Sequence, residues 1–451
     1  RSVRSRFMRW SRNTITMALG YNDMKNPVIQ NLTIALLGTT VMVPAATAQD
    51  GDAPIMSVYE RPREDYSAMG VRSGSFLFFP TIEADTKFTT NVYKSDEANT
   101  PDIDDYVAII KPSFRMQSNW NNHFFSLSGE AKVGRYFDQT DEDYEDFKVS
   151  ARGRYDITRG TSISMNVSYD DGHEDRGSEE TGGANVASSY TNYAFLTAGL
   201  GFKRDEGLFS LAVDGKYQNK DFDDSAVGGT VINNDDRDRQ EYTGSVRLGY
   251  HLNEEYEAFV KVSAVQVEYD DRYDDNNEVH DSDGWDVVGG IAFKISGKTE
   301  GEVYAGYVKR DYDSASFGDV SDAKFGGSIL WTPTGLTSVK VGVDRTVTES
   351  TVRRGTVASS GILNTRYSLR AEHELQRNLL LQANGTFSNM DYVGTLRKDH
   401  KYDAGMGAKY LINRNLAVNV DYKFEKRTAF RAITNQDFDE HAVIVSLKAQ
   451  W

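Results

Sequence analysis

The sequence predicts an all-β protein: a transmembrane antiparallel up-and-down β-barrel of about 18 strands, with both termini in the periplasm. Three observations carry this expectation. Apolar and polar residues alternate with period two from Arg72 to the end of the chain, the signature of a half-buried strand. The connections alternate between short turns and long polar loops, the asymmetry of outer-membrane barrels. After Ala48 no continuous apolar run is long enough to cross a bilayer as a helix.

Composition narrows the alternatives. The chain has 451 residues and no Cys, which excludes disulfides, thiolate metal sites and a Cys nucleophile. A net charge of −16 argues against a nucleic-acid partner. Aromatics make up 12% and apolar residues 39%, too ordered in character for disorder and too polar for a bundle of membrane helices.

Taken in order, residues 1–23 read as an upstream extension, since Met24-Lys25-Asn26 makes a better start than Arg1. Residues 24–48 read as a signal peptide. Lys25 supplies the charged region and Leu32 to Val43 the short apolar region. Ala46-Thr47-Ala48 satisfies the small-residue rule, placing cleavage between Ala48 and Gln49. Residues 49–71 precede the barrel as a periplasmic tether or a partial plug, and 72–451 form the barrel.

Strands are expected near 74–94, 105–119, 122–138, 144–158, 161–170, 189–204, 207–221, 240–252, 255–269, 284–296, 299–312, 321–332, 336–348, 362–375, 378–392, 400–412, 415–427 and 438–451. The alternation is cleanest in Leu416, Val418, Val420, Tyr422 and Phe424 against Asn415, Asn419, Asp421, Lys423 and Glu425. Ala264-Val265 breaks the rhythm and suggests a bulge or a strand end. Tyr155, Tyr250, Trp331, Tyr410 and Trp451 fall near the short turns. Tyr93, Tyr169, Tyr269, Tyr312, Tyr392 and Tyr402 fall near the long loops. Two such girdles are what the interfaces of a bilayer select. The terminal aromatic Trp451 is the kind of end that barrel-assembly machinery recognises. A β-propeller would need four-stranded blades with their own signals. A string of β-sandwiches would need linkers, and neither pattern is present.

Several segments carry a family likeness. They are Val58-Tyr59-Glu60-Arg61-Pro62-Arg63, Gly70-Val71-Arg72-Ser73-Gly74-Ser75-Phe76, His173-Glu174-Asp175-Arg176-Gly177-Ser178, Asn233-Asn234-Asp235-Asp236-Arg237, Tyr256-Glu257-Ala258-Phe259-Val260 and Arg377-Asn378-Leu379-Leu380-Leu381. Through them, in this order, the mature chain resembles the putative β-barrel porin type 2 family, outer-membrane barrels of Gram-negative bacteria. The resemblance implies an outer-membrane barrel. It implies little about cargo, although relatives are often associated with extracellular-polysaccharide systems. It supplies no catalytic or binding residues.

A barrel of this size encloses an aqueous channel, lined by the polar face of each strand. The pore-lining residues expected from parity include Arg115, Lys132, Arg152, Arg154, Lys216, Arg247, Lys261, Arg366, Arg370, Lys423 and Lys448. Roughly 18 basic residues against roughly 12 acidic ones fall on that face, as anion selectivity would require. The competing expectation is a wall of cross-strand ion pairs, neutral on average. Asp270–Asn277 is dense in carboxylates but lacks the spacing of a calcium loop, so no metal or cofactor is expected. The seven His are scattered and none sits in a motif that fixes a nucleophile, so no enzyme is expected.

The expected function is a passive outer-membrane pore for small hydrophilic solutes, with a preference for anions. The alternative is a dedicated port for extracellular or capsular polysaccharide, docking periplasmic export components. A closed structural protein is the third. Other expected partners are outer-membrane lipid, lipopolysaccharide and the assembly machinery.

Overall fold

The computed structural model describes residues 55–96, 102–178, 190–227, 230–274, 276–354, 357–432 and 436–451. The expected signal peptide, with its Ala48–Gln49 cleavage site, and the upstream extension lie outside the described residues. One antiparallel sheet closes on itself as an 18-strand barrel. Its strands are β1 (Phe76–Thr89), β2 (Asp105–Ser118), β3 (Phe124–Tyr136), β4 (Tyr144–Thr158), β5 (Thr161–His173), β6 (Asn192–Glu206), β7 (Phe209–Phe222), β8 (Arg239–His251), β9 (Tyr256–Tyr269), β10 (Ser282–Ile295), β11 (Thr299–Tyr312), β12 (Val320–Thr334), β13 (Thr337–Glu349), β14 (Gly361–Gln376), β15 (Leu379–Tyr392), β16 (Lys398–Leu411), β17 (Leu416–Phe430) and β18 (Phe438–Gln450). Each strand pairs with the next in sequence. The seam pairs β18 with β1, from Thr81 opposite Gln450 to Thr89 opposite Ala442. The strand Val71–Ser73 folds back on Phe76–Phe78 as a short hairpin at the start of β1.

Strands run 13 to 16 residues, whereas a tilted crossing needs about 9–11. The surplus explains a change of polarity along the wall. In β9, Val260 and Val262 face outward and are exposed, while Lys261 and Ser263 face inward. Above Ala264 the outward residues are Gln266 and Glu268. The inward ones are Val267 and Tyr269, both buried. The strand there has risen clear of the apolar belt and encloses packed loops. This corrects the expected bulge at Ala264-Val265: register is continuous through both residues on both sides. Register shifts lie instead beside the short turns, at Asp156/Thr158, Trp331/Thr334 and Glu374/Gln376.

The same inversion corrects one girdle. Tyr155, Tyr250, Trp331, Tyr410 and Trp451 are exposed on the outside at the turn end. At the loop end Tyr169 and Tyr402 are exposed outside, but Tyr269, Tyr312 and Tyr392 are buried within the barrel, and Tyr93 is half-buried in its loop, donating to Gln139. Tyr106, Phe147, Tyr242, Trp285, Tyr307 and Tyr367 add exposed rings to the outer face.

Close packing of the wall depends on small residues at chosen points. A Cβ built on Gly306 of β11 would lie 1.9 Å from the Val287 carbonyl oxygen and 2.7 Å from the Val288 Cα. Both are backbone atoms, so a neighbouring rotamer cannot relieve the clash. Gly306→Ala is therefore expected to destabilise the refolded barrel by about 1–3 kcal/mol, read as a lower urea midpoint. An unchanged midpoint would contradict the packing described.

Candidate functional site: the barrel lumen

Register places every one of the basic residues expected to line the pore on the inner face. Arg247 lies opposite Lys261, Lys216 opposite Thr243 and Arg152 opposite Asn166, with Arg154 opposite Ser164. Lys132 faces Asp146, Arg115 faces Ser128, Arg366 faces Asp344 and Arg370 faces Lys340. Lys448 lies opposite Glu83 and Lys423 opposite Ala442.

Their charges are partly matched. Lys132 pairs with Asp146 at 3.6 Å, Arg154 with Asp156 at 2.9 Å, Arg247 with Glu257 at 3.3 Å and Arg370 with Glu372 at 2.7 Å. Arg115 stacks over the Phe79 ring at 4.7 Å. Arg366 donates to the Ser388 hydroxyl at 3.4 Å. Among the described residues, Lys216, Lys261, Lys340, Lys409, Lys423, Lys448 and Arg366 have no carboxylate within 4.0 Å. Glu130, Asp214, Asp344, Asp403 and Asp421 likewise have no cation within that distance among the described residues. Among these described residues, the cations without a carboxylate partner outnumber the carboxylates without a cation.

The turn end of the lumen holds the segment that precedes the barrel. The Val58 amide donates to the Ser338 hydroxyl at 2.9 Å, and the Tyr59 amide to Glu372 at 3.0 Å. The Arg63 guanidinium pairs with Glu374 at 2.8 Å and donates to the Val58 carbonyl at 2.9 Å. Val58 is fully buried. The Tyr59 phenol sits under Arg370, with the cation 5.9 Å from its ring. Burial raises the Tyr59 phenol above its ordinary pKa, and Asp421 and Glu372 raise it further, so it stays neutral and can donate to the Leu380 carbonyl. The described part of this segment is a partial plug against the β13–β15 wall, not a free tether.

At the loop end, the described residues of the connection between β5 and β6 pack inside the barrel. Lys94, from the β1–β2 connection, bridges Asp175 of that connection at 2.9 Å to Glu425 at 2.8 Å and Glu440 at 3.3 Å. Arg176 clamps the buried Glu142 carboxylate through two nitrogens. Gly177 packs so closely that a Cβ there would lie 2.7 Å from both Lys94 and Phe438. Arg427 of β17 donates to the Ser178 carbonyl at 3.0 Å and to Asp399 at 2.9 Å. Asp399 also receives Arg397 at 3.0 Å. The connection thus reaches across the lumen from β5 to β17, beyond the seam. Beside it, Phe317 packs with Tyr312, Val320 and Ala358, and Met390 with Ile362 and Tyr392.

Period-two parity could not find these residues, because they act from loops or above the membrane. Two signals do exist: Asp175-Arg176-Gly177 in the longest connection, and Arg397 next but one to Asp399 at a strand start. The acidic run near Asp274 serves its own loop: Asp274 accepts from the Glu278 and Asn276 amides and faces His280.

The electrostatics of the Lys94 cluster have a definite sign. Burial alone would lower the Lys94 ammonium, but Asp175, Glu425 and Glu440 hold it well above its ordinary pKa. Burial would raise Asp175, yet Lys94, Lys401 and the Gly177 amide hold it far below the carboxylate range. A depressed carboxylate stabilises the fold above its unfolded pKa of about 4 and loses that contribution only as pH falls through the folded value. The loop anchor is therefore expected to persist from pH 8 to pH 5. Asp175→Asn should weaken it by on the order of 1–2 kcal/mol, below the figure for a fully buried pair because Asp175 is 32% exposed. Trypsin cleavage after Arg176 at pH 7 should become several-fold faster in the variant. Equal cleavage in both proteins would contradict the anchor.

No curated protein matches the chain. Among solved structures, the siderophore receptor PirA from Pseudomonas aeruginosa matches with a TM-score of 0.45 and 8% identity, over 83% of this chain and 80% of that one. Pseudomonas aeruginosa OccK5 (OpdH) matches with a TM-score of 0.41 and 10% identity, over 83% and 98%. The outer membrane protein opdK from the same organism matches with a TM-score of 0.41 and 12% identity, over 83% and 99%. The family model described as putative beta-barrel porin 2 matches residues 63–451, the whole barrel and the end of its plug segment, and the chain belongs to that family of outer-membrane barrels.

Proposed function

We propose that the barrel is a passive outer-membrane pore for small hydrophilic solutes, anions in preference to cations. The observation that carries this reading is the excess of inner-face cations without a carboxylate partner, led by Lys216 and Lys261. Rings of Lys and Arg stabilise a passing anion and repel a cation. The first described residue, Ile55, and the last, Trp451, lie at the turn end, which in this reading faces the periplasm. A signal peptide cleaved after Ala48 would deliver the chain there, and Trp451 would be presented to the assembly machinery. Lipid and lipopolysaccharide would surround the belt.

A dedicated port for extracellular polysaccharide is the second reading. It is favoured by the folded segments at both ends of the lumen, which an open general pore does not need. Periplasmic export components would then act on the plug segment.

Planar-bilayer recordings separate the two. The full chain is expected to conduct steadily and to show an anion-preferring reversal potential in a salt gradient. Deleting residues 49–70 is expected to raise single-channel conductance several-fold, because Val58, Tyr59 and Arg63 no longer occupy the turn end. A silent full chain that conducts only after the deletion supports the gated port. Cation preference would overturn the anion reading.

A further inference from the structure

The inner wall is not uniformly covered, and the contrast locates a path. Around the seam, inner-face residues of β1, β15, β17 and β18 are buried even where they are short or polar: Glu83, Asp85, Gln382, Asn419, Asp421 and Ser446. Polar groups of this kind are covered by neighbouring chain: the plug segment at one end, the β5–β6 connection at the other, and one another between. Gln382, for example, donates to Asp421 at 3.0 Å.

The wall from β5 to β8 differs. Ser164, Asn166, Thr197, Gly199 and Ser245 face inward there, are small and are not buried, and Asp214 between them is exposed. These side chains keep partial solvent access where those at the seam do not. Short side chains on a wide barrel leave the most open volume in front of them. The strip is flanked by Arg152 on β4 and Lys261 on β9, with Lys216 on β7 at its centre.

The charges on this strip can be tallied. Arg154 is matched by Asp156, and Arg247 by Glu257 and Glu302. Lys220 and Arg239 share Glu241. What remains in the middle is Lys216 and Lys261, neither with a carboxylate within 4.0 Å among the described residues, with Asp214 and Asp286 as the nearest carboxylates facing Lys261.

We propose that solutes pass off-axis, along the β5–β8 wall, and that Lys216 and Lys261 form the anion-selecting station on that path. The ligand class is a small hydrated anion, carboxylate or inorganic. This assignment rests on the pore reading above and narrows it. The seam wall carries basic residues too, but a covered wall does not meet the solute.

Two measurements test it. The chain contains no Cys, so single cysteines report access directly. Ser164→Cys and Thr197→Cys in the folded, heat-modifiable barrel should react within minutes with a charged, membrane-impermeant methanethiosulfonate. Asn419→Cys and Ser446→Cys should react only after unfolding. Equal reactivity at the four positions, or faster reaction at the seam, would overturn the off-axis path even if the protein never conducts. In planar bilayers, the double variant Lys216→Glu with Lys261→Glu should shift the anion-to-cation permeability ratio several-fold toward cations. An unchanged ratio in a conducting variant would overturn the station while leaving the pore itself intact. A silent wild-type barrel would instead count against the pore, with the labelling pattern still deciding which wall is open.

Discussion

Every backbone amide and carbonyl in the hydrocarbon of a bilayer has to find a partner within the protein. For a chain of strands the only complete solution is a closed sheet, and the structure depends on one pairing to achieve it, that of β18 with β1 from Gln450 to Ala442. Closure then fixes parity. Once Glu83 lies opposite Lys448 on the inside, each residue of every strand is assigned to lipid or lumen, because side chains alternate and register is continuous across most of the sheet. The belt of exposed Val, Ile, Leu and aromatic residues follows from that single constraint.

A wall this wide cannot be filled by its own side chains. The protein fills part of the lumen with its own chain. The plug segment is held by Ser338, Glu372 and Glu374 at one end. At the other, Lys94, Arg397 and Arg427 gather the β5–β6 connection and the strand tops around buried carboxylates. Such groups are costly to bury singly and tolerable when each charge is matched. The unequal filling leaves one side of the lumen lined by Ser, Thr, Asn and Gly and the other covered, so the open section is eccentric.

The repeating part of this architecture was legible in the sequence because one period encodes it. All eighteen strands lie where the alternation places them, with their ends shifted by a few residues. Parity runs through the inner-face cations as well, from Arg115 to Lys448. It failed where its premise failed. Ala264-Val265 looked like a bulge because the strand leaves the membrane there, and inside and outside exchange polarity without any break in register. Tyr269, Tyr312 and Tyr392 were assigned to a girdle for the same reason, and they turn inward to pack under the loops. The choice between tether and plug for the segment before the barrel, and the partners of Lys94 and Arg427, depend on contacts between segments from tens to hundreds of residues apart. No local pattern encodes those.

A water-filled passage favouring anions would show itself as solute flux. Liposomes reconstituted with the full chain would be placed in isotonic solutions of small anionic, neutral and cationic solutes of matched size, and swelling followed by light scattering. Measurable swelling is expected, fastest for the anion and slowest for the cation, and sensitive to ionic strength as a charged lumen requires. A folded barrel that passes none of the three, or that passes the cation fastest, would contradict such a passage.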